Sequence, residues 1–210
     1  MNLLQIVREK YQILAHKHVY HGSPHKFDRF SKISHGKNYG AGIYFTEDED
    51  EARQYGYMEI DDNAARDHTL GKGYLYTVDL NVSKPFDVRN KAQAKKISDH
   101  LELDWSTVLK NQLWKDSSCG FDVSDKDNLY LKIFDTLSDR LKSQGRRWYE
   151  ADSIFIKAMK ELGFDCIHDT KKKWWVVYEP SKIKILSVKK ITGRYCSDTG
   201  KWLGNDTKTK

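Results

Sequence analysis

The spacing of apolar and polar residues predicts helices and strands in a mixed order along the chain. Apolar side chains recur at helical intervals over residues 2–16, and a longer stripe follows at i, i+3, i+4, i+7 and i+11. The members of that stripe are Tyr130, Ile133, Phe134, Leu137 and Leu141. Ser124 precedes the stripe as the predicted N-cap. Another helix is predicted over residues 151–162, ending at Gly163.

Strand-type segments alternate with these helices. They are predicted near residues 18–22, 42–46, 73–80, 164–168, 174–179 and 184–191. This order indicates an α+β fold, and 210 residues are enough to bury a core without disulfides. We predict one domain over residues 1–195, with a helical insertion at about 86–149. Residues 196–210, rich in Gly, Thr, Lys and Asp, are predicted to form a flexible basic tail.

The first segment with candidate chemistry is Val19–Ser23, which reads Val-Tyr-His-Gly-Ser. Strand-forming residues lead up to His21, and Gly22 then removes the side chain directly after it. A planar group can approach the peptide N–H and C=O where no side chain stands in the way. Gly22 is therefore a candidate docking edge for an amide.

The second segment with candidate chemistry begins with two glycines, Gly40 and Gly42, and continues as alternating side chains through Thr46. Alternation along a strand places Tyr44 and Thr46 on one face, and Ile43 and Phe45 on the other. We expect the face with Ile43 to be buried and the face with Tyr44 to meet a ligand.

A helix is predicted to begin at about residue 47, directly after this strand. Thr46 and Glu49 have the spacing of a capping box. Within the predicted helix, Ala52 and Tyr55 lie on one face, and the small residue leaves room for a flat group beside the ring. Tyr44 and Tyr55 are then candidates for two walls of a slot.

With these motifs the chain resembles the diphtheria-toxin-like ADP-ribosyltransferases, the superfamily that includes the poly(ADP-ribose) polymerases and bacterial and phage mono-ADP-ribosyltransferases. Their signature is a histidine, a tyrosine and a glutamate on three strands. The resemblance implies that His21 hydrogen-bonds a ribose hydroxyl of NAD, and that Gly22, with Ser23 beside it, holds the nicotinamide carboxamide. It also implies that Tyr44 and Tyr55 stack on the nicotinamide. Residues 163–167 and 174–183 are similar to the family's last strands.

The chain departs from the family at the third signature position. In the family the glutamate directly precedes an aromatic–aliphatic–aliphatic–aromatic run, and here Trp174 stands in that place. An indole has no acceptor for a ribose hydroxyl. Glu179 and Asp169 are the alternative acids, although Glu179 falls on the opposite face of a regular strand.

The resemblance implies two packed, mainly antiparallel sheets around an NAD cleft, and a mono-ADP-ribosyltransferase that uses NAD as co-substrate without a metal. A carboxylate normally stabilises the oxocarbenium character that develops as nicotinamide leaves. Without it, an alternative is a module that binds NAD or ADP-ribose with little or no turnover. A remote alternative is a metal-dependent nuclease, suggested by four histidines, at positions 16, 18, 21 and 25, within a short stretch.

Net charge, cysteine content and the lengths of apolar runs indicate the class of partner and the cellular compartment. The net charge of +6 allows an anionic partner, but the basic residues are spread out, so a protein acceptor is favoured over nucleic acid. Three widely spaced cysteines indicate free thiols in a reducing compartment. The sequence has no apolar run long enough to cross a bilayer and no apolar signal core. We expect a cytoplasmic protein that acts inside a host cell and has no membrane partner. A bacterial toxin, a phage effector and a defence protein all fit this expectation.

Overall fold

The computed structural model of the chain describes residues 17–31, 34–35, 39, 41–57, 70–111, 125–147, 149–196 and 201–204. The helix predicted over residues 2–16 lies outside these residues, as do Gly40 and Ser124. The chain divides into two compact units. The first unit comprises Met1–Ser31, Phe45–Asn81 and Pro180–Lys210, and the second comprises Lys32–Tyr44 and Val82–Glu179.

The described strands and helices alternate, which confirms the prediction of a mixed fold. In chain order the strands are β1 (Lys17–Ser23), β2 (Ser34–His35), β3 (Ala41–Thr46), β4 (Leu70–Leu80), β5 (Pro85–Asp87), β6 (Cys166–Asp169), β7 (Trp174–Val177), β8 (Ile183–Cys196) and β9 (Lys201–Gly204). The helices are α1 (Glu49–Tyr57), α2 (Lys91–His100), α3 (Trp105–Lys110), α4 (Leu129–Ser143) and α5 (Glu150–Glu161). Among the described residues, no helix is long and apolar enough to span a bilayer.

The first unit is built on antiparallel strands. Strand β4 pairs with β1 on one side and with β8 on the other, and β8 pairs with β9. In this register His21 stands opposite Tyr76, and Gly22 stands opposite Leu75. Strand β9 falls within residues 196–210, and its backbone pairs with the end of β8. The flexibility of residues 196–210 stays a prediction.

Among the described residues, the second unit contains strands β2, β5, β6 and β7, residues 41–44 of β3, and four helices. Strand β5 runs parallel to β6, and β6 runs antiparallel to β7. The predicted apolar stripe lies on α4, and its five residues are at most 6% exposed within one large core cluster, which confirms that the stripe is core. Much of the predicted insertion at 86–149 therefore belongs to the core of this unit.

Helix α4 begins four residues later than its predicted cap implies. The side chain of Asn128 accepts the backbone N–H of Leu131 at 3.1 Å, so Asn128 is the N-cap of this helix. Both residue types favour N-caps. The prediction of Ser124 as the cap is therefore wrong, whereas the predicted end of α5 is confirmed by Gly163, which has φ 77°.

Candidate functional site

The His21 side chain lies among aromatic rings of the first unit. Its ring centroid is 5.1 Å from Phe30, 5.6 Å from Phe45, and 6.1 Å from both Phe27 and Tyr76. The contacts with Phe27, Phe30 and Tyr76 are edge-on, an arrangement that aromatic rings favour. His21 is half-buried, and these ring contacts hold its imidazole by packing.

Gly22 is required first by the packing of helix α1 on strand β1. A Cβ at Gly22 would overlap the carbonyl oxygen of Ala52 and the backbone nitrogen of Gly56. A Cβ at Gly73 on β4 would overlap the carbonyl group of Gly56. The helix backbone thus lies directly on two strands. Strand β1 pairs antiparallel with β3 through Tyr20 and Thr46.

This close packing also places the helix residues that the sequence assigns to the ligand. Tyr55 is 45% exposed, whereas Ala52 is 1% exposed and packs in a core cluster with Tyr57, Leu75 and Ile191. The pKa of Tyr55 is raised, mainly because part of its ring is buried and to a smaller extent because the Glu51 carboxylate is nearby. The exposed part of the Tyr55 ring is available to a ligand. That Tyr55 and Ala52 contact a ligand stays a prediction.

The start of helix α1 differs from the predicted capping box. Asp48 is the capping residue, because its carboxylate accepts the backbone N–H groups of Asp50 at 2.9 Å and Glu51 at 3.1 Å. Thr46 instead donates its hydroxyl to the Glu51 carboxylate at 2.6 Å and accepts the N–H of Asp48 at 3.1 Å. The helix therefore begins at Glu49.

Tyr44 belongs to the second unit and is the least buried residue of strand β3. The other five residues of the strand are buried, including Thr46 at 4% exposure, so the predicted division into a buried and an open face is wrong for Thr46. The Tyr44 hydroxyl accepts the backbone N–H of Tyr39 at 2.9 Å. This bond fixes the direction of the Tyr44 side chain.

Asp169, one of the two alternative acids, is the last residue of strand β6. It is fully buried, and its carboxylate accepts the hydroxyl of Tyr39 and a guanidinium N–H of Arg89 at 3.3 Å. The backbone N–H groups of Lys171 and Lys172 donate to the same carboxylate at 3.0 and 3.1 Å. Asp169 is thus a structural acid, joined through Arg89 to a wider polar network.

Trp174 and Glu179 lie at and after strand β7 in the second unit. Trp174 is the first residue of β7 and pairs with Asp169. Its ring is half-buried, makes an edge contact with Tyr39 at 6.1 Å, and has the Lys172 ammonium 4.9 Å from its centroid. Glu179 forms an ion pair with Lys160 at 3.5 Å, and its side chain is 46% exposed.

The residues near His21 that sequence reasoning missed are Phe27, Phe30 and Tyr76. Phe27 and Phe30 follow the His-Gly-Ser motif at a spacing of three, which was the available signal. Ser23 is 8% exposed, and its hydroxyl accepts the N–H of His25 at 3.1 Å, at the start of the segment that carries these two rings. Among the described residues, no three His, Cys, Asp or Glu side chains lie together as metal ligands would.

One comparison with known proteins, the match to a family model, agrees with the sequence resemblance. The family model described as "ADP-Ribosyltransferase in polyvalent proteins" matches residues 15–193. A search of curated proteins gives no match. One solved structure, titled "Crystal structure of an anti-CRISPR protein", is 14% identical and covers 84% of this chain and 96% of its own, with a TM-score of 0.35.

Proposed function

Because this chain belongs to the ADP-ribosyltransferase family of polyvalent proteins, we propose that it cleaves NAD and transfers one ADP-ribose to a macromolecular acceptor. The observation that carries the proposal is the His21–Gly22–Ser23 motif on strand β1, with the imidazole set among four aromatic rings. No metal takes part in the proposed reaction.

In the proposed reaction the bond between the ribose C1″ atom and the nicotinamide nitrogen breaks. The bonding electrons move to the pyridinium ring, so nicotinamide leaves as a neutral molecule and positive charge develops on the sugar. His21 is proposed to hold a ribose hydroxyl, and the Gly22 peptide to hold the nicotinamide carboxamide, with Ser23 alongside. These contacts stop the sugar from rotating as the bond lengthens, which is a positioning effect.

The remaining predicted ligand contacts belong to the same proposal, as does the NAD cleft that the resemblance implies. Tyr55 is assigned to nicotinamide stacking, and its exposure supports that assignment. Tyr44, Ala52 and Trp174 are assigned from the sequence. Glu179 is retained as the weaker candidate for the missing acid.

We propose a carboxylate side chain of a protein as the acceptor. A hydroxyl or amine acceptor must lose a proton as it attacks, and the family glutamate is suited to take it. A carboxylate oxygen attacks C1″ without losing a proton and forms an ester, so the chain does not need a base at Trp174. A mass-spectrometric search of treated lysate for ADP-ribose adducts tests this; neutral hydroxylamine should remove them if they are esters.

The principal test measures nicotinamide release from NAD by the purified protein. His21→Ala should lower the rate by about two orders of magnitude, the scale seen when one preorganised polar partner is lost. His18→Ala is the matched control, because His18 is an exposed histidine on the same strand. Equal rates for the two variants, or no release by any of the proteins, would contradict the proposal.

A second candidate is a module that binds NAD or ADP-ribose without turnover, and Trp174 is the observation that favours it. Calorimetry with NAD separates the two functions. Stoichiometric binding by the wild type, weakened in His21→Ala and accompanied by no nicotinamide release over hours, identifies the module. Measurable release that depends on His21 identifies the transferase.

A further inference from the structure

We propose that Tyr76 is a positioning residue for the His21 imidazole, acting through the segment of residues 24–30. The inference rests on the proposed function, in which His21 binds the ribose. Tyr76 lies on strand β4 directly opposite His21 and is fully buried. No sequence motif joins the two residues, which are far apart in the chain, so only the strand register reveals the pairing.

The hydroxyl of Tyr76 fastens this segment to the sheet. The Phe27 backbone N–H donates to the Tyr76 hydroxyl oxygen at 2.7 Å. The hydroxyl in turn lies 3.2 Å from the carbonyl oxygen of His25 and 3.3 Å from that of Phe27, and donates its proton to them. Burial raises the pKa of Tyr76, so the hydroxyl remains a neutral donor at ordinary assay pH.

The same segment carries two rings onto His21. Phe27 stacks on the Tyr76 ring with centroids 4.2 Å apart and planes 8° apart, and Phe30 meets Phe27 edge-on at 4.8 Å. Both rings also contact His21. If the segment is released, the imidazole loses two of its neighbours and gains rotational freedom.

Misplacement of a positioned group by a small distance lowers turnover more than it lowers binding of the whole ligand. Most of the surface of NAD would not touch His21. A loosened imidazole should therefore reduce kcat for NAD cleavage and leave KM almost unchanged. A purely structural role of Tyr76 predicts a different result: the loss of activity would follow the loss of folded protein.

The test compares Tyr76→Phe, which removes only the hydroxyl, with Tyr74→Phe on the same strand as the control. NAD is the probe for kcat and KM, and NMR follows amide exchange of Phe27 and the ring signals of His21. For Tyr76→Phe we expect kcat to fall about tenfold with KM within about threefold. We also expect the Phe27 amide to exchange at least about tenfold faster and the His21 signals to shift. Tyr74→Phe should match the wild type in each measurement.

Each outcome decides the proposal. Unchanged kcat with faster exchange at Phe27 overturns it, as do unchanged His21 signals. If the wild type releases no nicotinamide, the proposed function fails, while the His21 signals still report whether Tyr76 orders the imidazole. If Tyr76→Phe does not fold, Phe27→Leu replaces it, because this change removes a ring from His21 without altering the strand. Phe27→Leu must then lower kcat for NAD cleavage and leave KM almost unchanged.

Discussion

The Asp169 carboxylate is surrounded by donors that hold it inside the second unit. Its oxygens accept the Tyr39 hydroxyl, an Arg89 guanidinium N–H and two backbone N–H groups. A carboxylate in this position is not offered to a ribose hydroxyl. The sequence could identify Asp169 as an acid near the last strands, but it could not show that the acceptor sites were already used, because Tyr39 and Arg89 are distant in the chain.

The first prediction separates Asp169 from the other candidate acid. Asp169→Asn should lower the free energy of unfolding by about 3–5 kcal/mol, because it leaves Arg89 without one of its buried partners. Glu179→Gln, at an exposed ion pair with Lys160, should change it by less than about 1 kcal/mol. Urea denaturation measures both changes. An Asp169→Asn protein as stable as the wild type, but unable to cleave NAD, would make Asp169 catalytic and contradict this reading.

The second prediction concerns Trp174, the residue that stands where the resembled family has glutamate. Trp174→Glu should increase NAD cleavage by at least about tenfold, since an added carboxylate stabilises developing positive charge on the sugar. Trp174→Gln provides a polar side chain of the same length without the charge. The measurement is the rate of nicotinamide release by the two variants, which should be higher for Trp174→Glu than for Trp174→Gln. Equal rates would mean that the side chain at this position does not approach the ribose.

At the scale of elements, the placement of helix α1 depends on three glycines that differ in what faces them. A Cβ at Gly22 or Gly73 would overlap backbone atoms of the helix, which cannot move without shifting the helix itself. A Cβ at Gly56 would lie 2.7 Å from the Cδ1 atom of Ile191, the movable end of a side chain, and 3.3 Å from the carbonyl oxygen of Tyr74.

This difference gives the third prediction. Gly73→Ala should destabilise the protein by about 1–3 kcal/mol or more, because the overlap is with backbone. Gly56→Ala is the matched control, since Ile191 can rotate and alanine improves helix propensity by about 1 kcal/mol. Thermal or urea unfolding measures the stabilities of the two variants, and Gly73→Ala should be the less stable. If Gly56→Ala is the more damaging change, the helix does not lie on the strands as described.

The elements that the sequence predicted best are those with a long apolar period or a strand pattern bounded by glycine. Helix α4 and strands β1 and β3 belong to this group. The caps were misassigned because hydroxyl, amide and carboxylate residues near a helix start compete for the same N–H groups. The three residues of β5 are too short to produce a period, and β9 lies in a stretch rich in Gly, Thr, Lys and Asp, a composition that does not predict a strand. A close backbone contact such as that between Gly73 and Gly56 cannot be predicted from the spacing of hydrophobic residues.

At the scale of the whole molecule, both units are assembled from separated stretches of chain. The first unit uses three stretches and the second uses two. Linear boundaries such as 1–195 could not reproduce this division, because the chain crosses between units inside strand β3. The candidate residues are also divided: His21, Gly22, Ser23, Ala52 and Tyr55 belong to the first unit, and Tyr44, Trp174 and Glu179 belong to the second.

The final prediction concerns the stability of the molecule at low pH. Two hydrogen bonds from Arg89, at 3.1 and 2.5 Å, hold the pKa of the buried Asp125 carboxyl below its ordinary value. A lowered folded-state pKa contributes stability that is present above the unfolded value, about 3.9, and is lost as pH falls through the folded value. The difference in unfolding free energy between the wild type and Asp125→Asn should therefore be largest above about pH 5 and shrink below about pH 4.

The control for this experiment is Asp127→Asn, which makes the same charge change at an exposed position nearby. Acidification also raises the net positive charge above +6, and the resulting repulsion destabilises every variant alike. The comparison with Asp127→Asn removes that common effect, because both variants lose one acidic group. Urea denaturation from pH 7 to pH 3 gives the unfolding free energy as a function of pH. These plots should be parallel for the wild type and Asp127→Asn, and flatter for Asp125→Asn. Parallel curves for all three proteins would mean that the Arg89–Asp125 pair does not set the acid response.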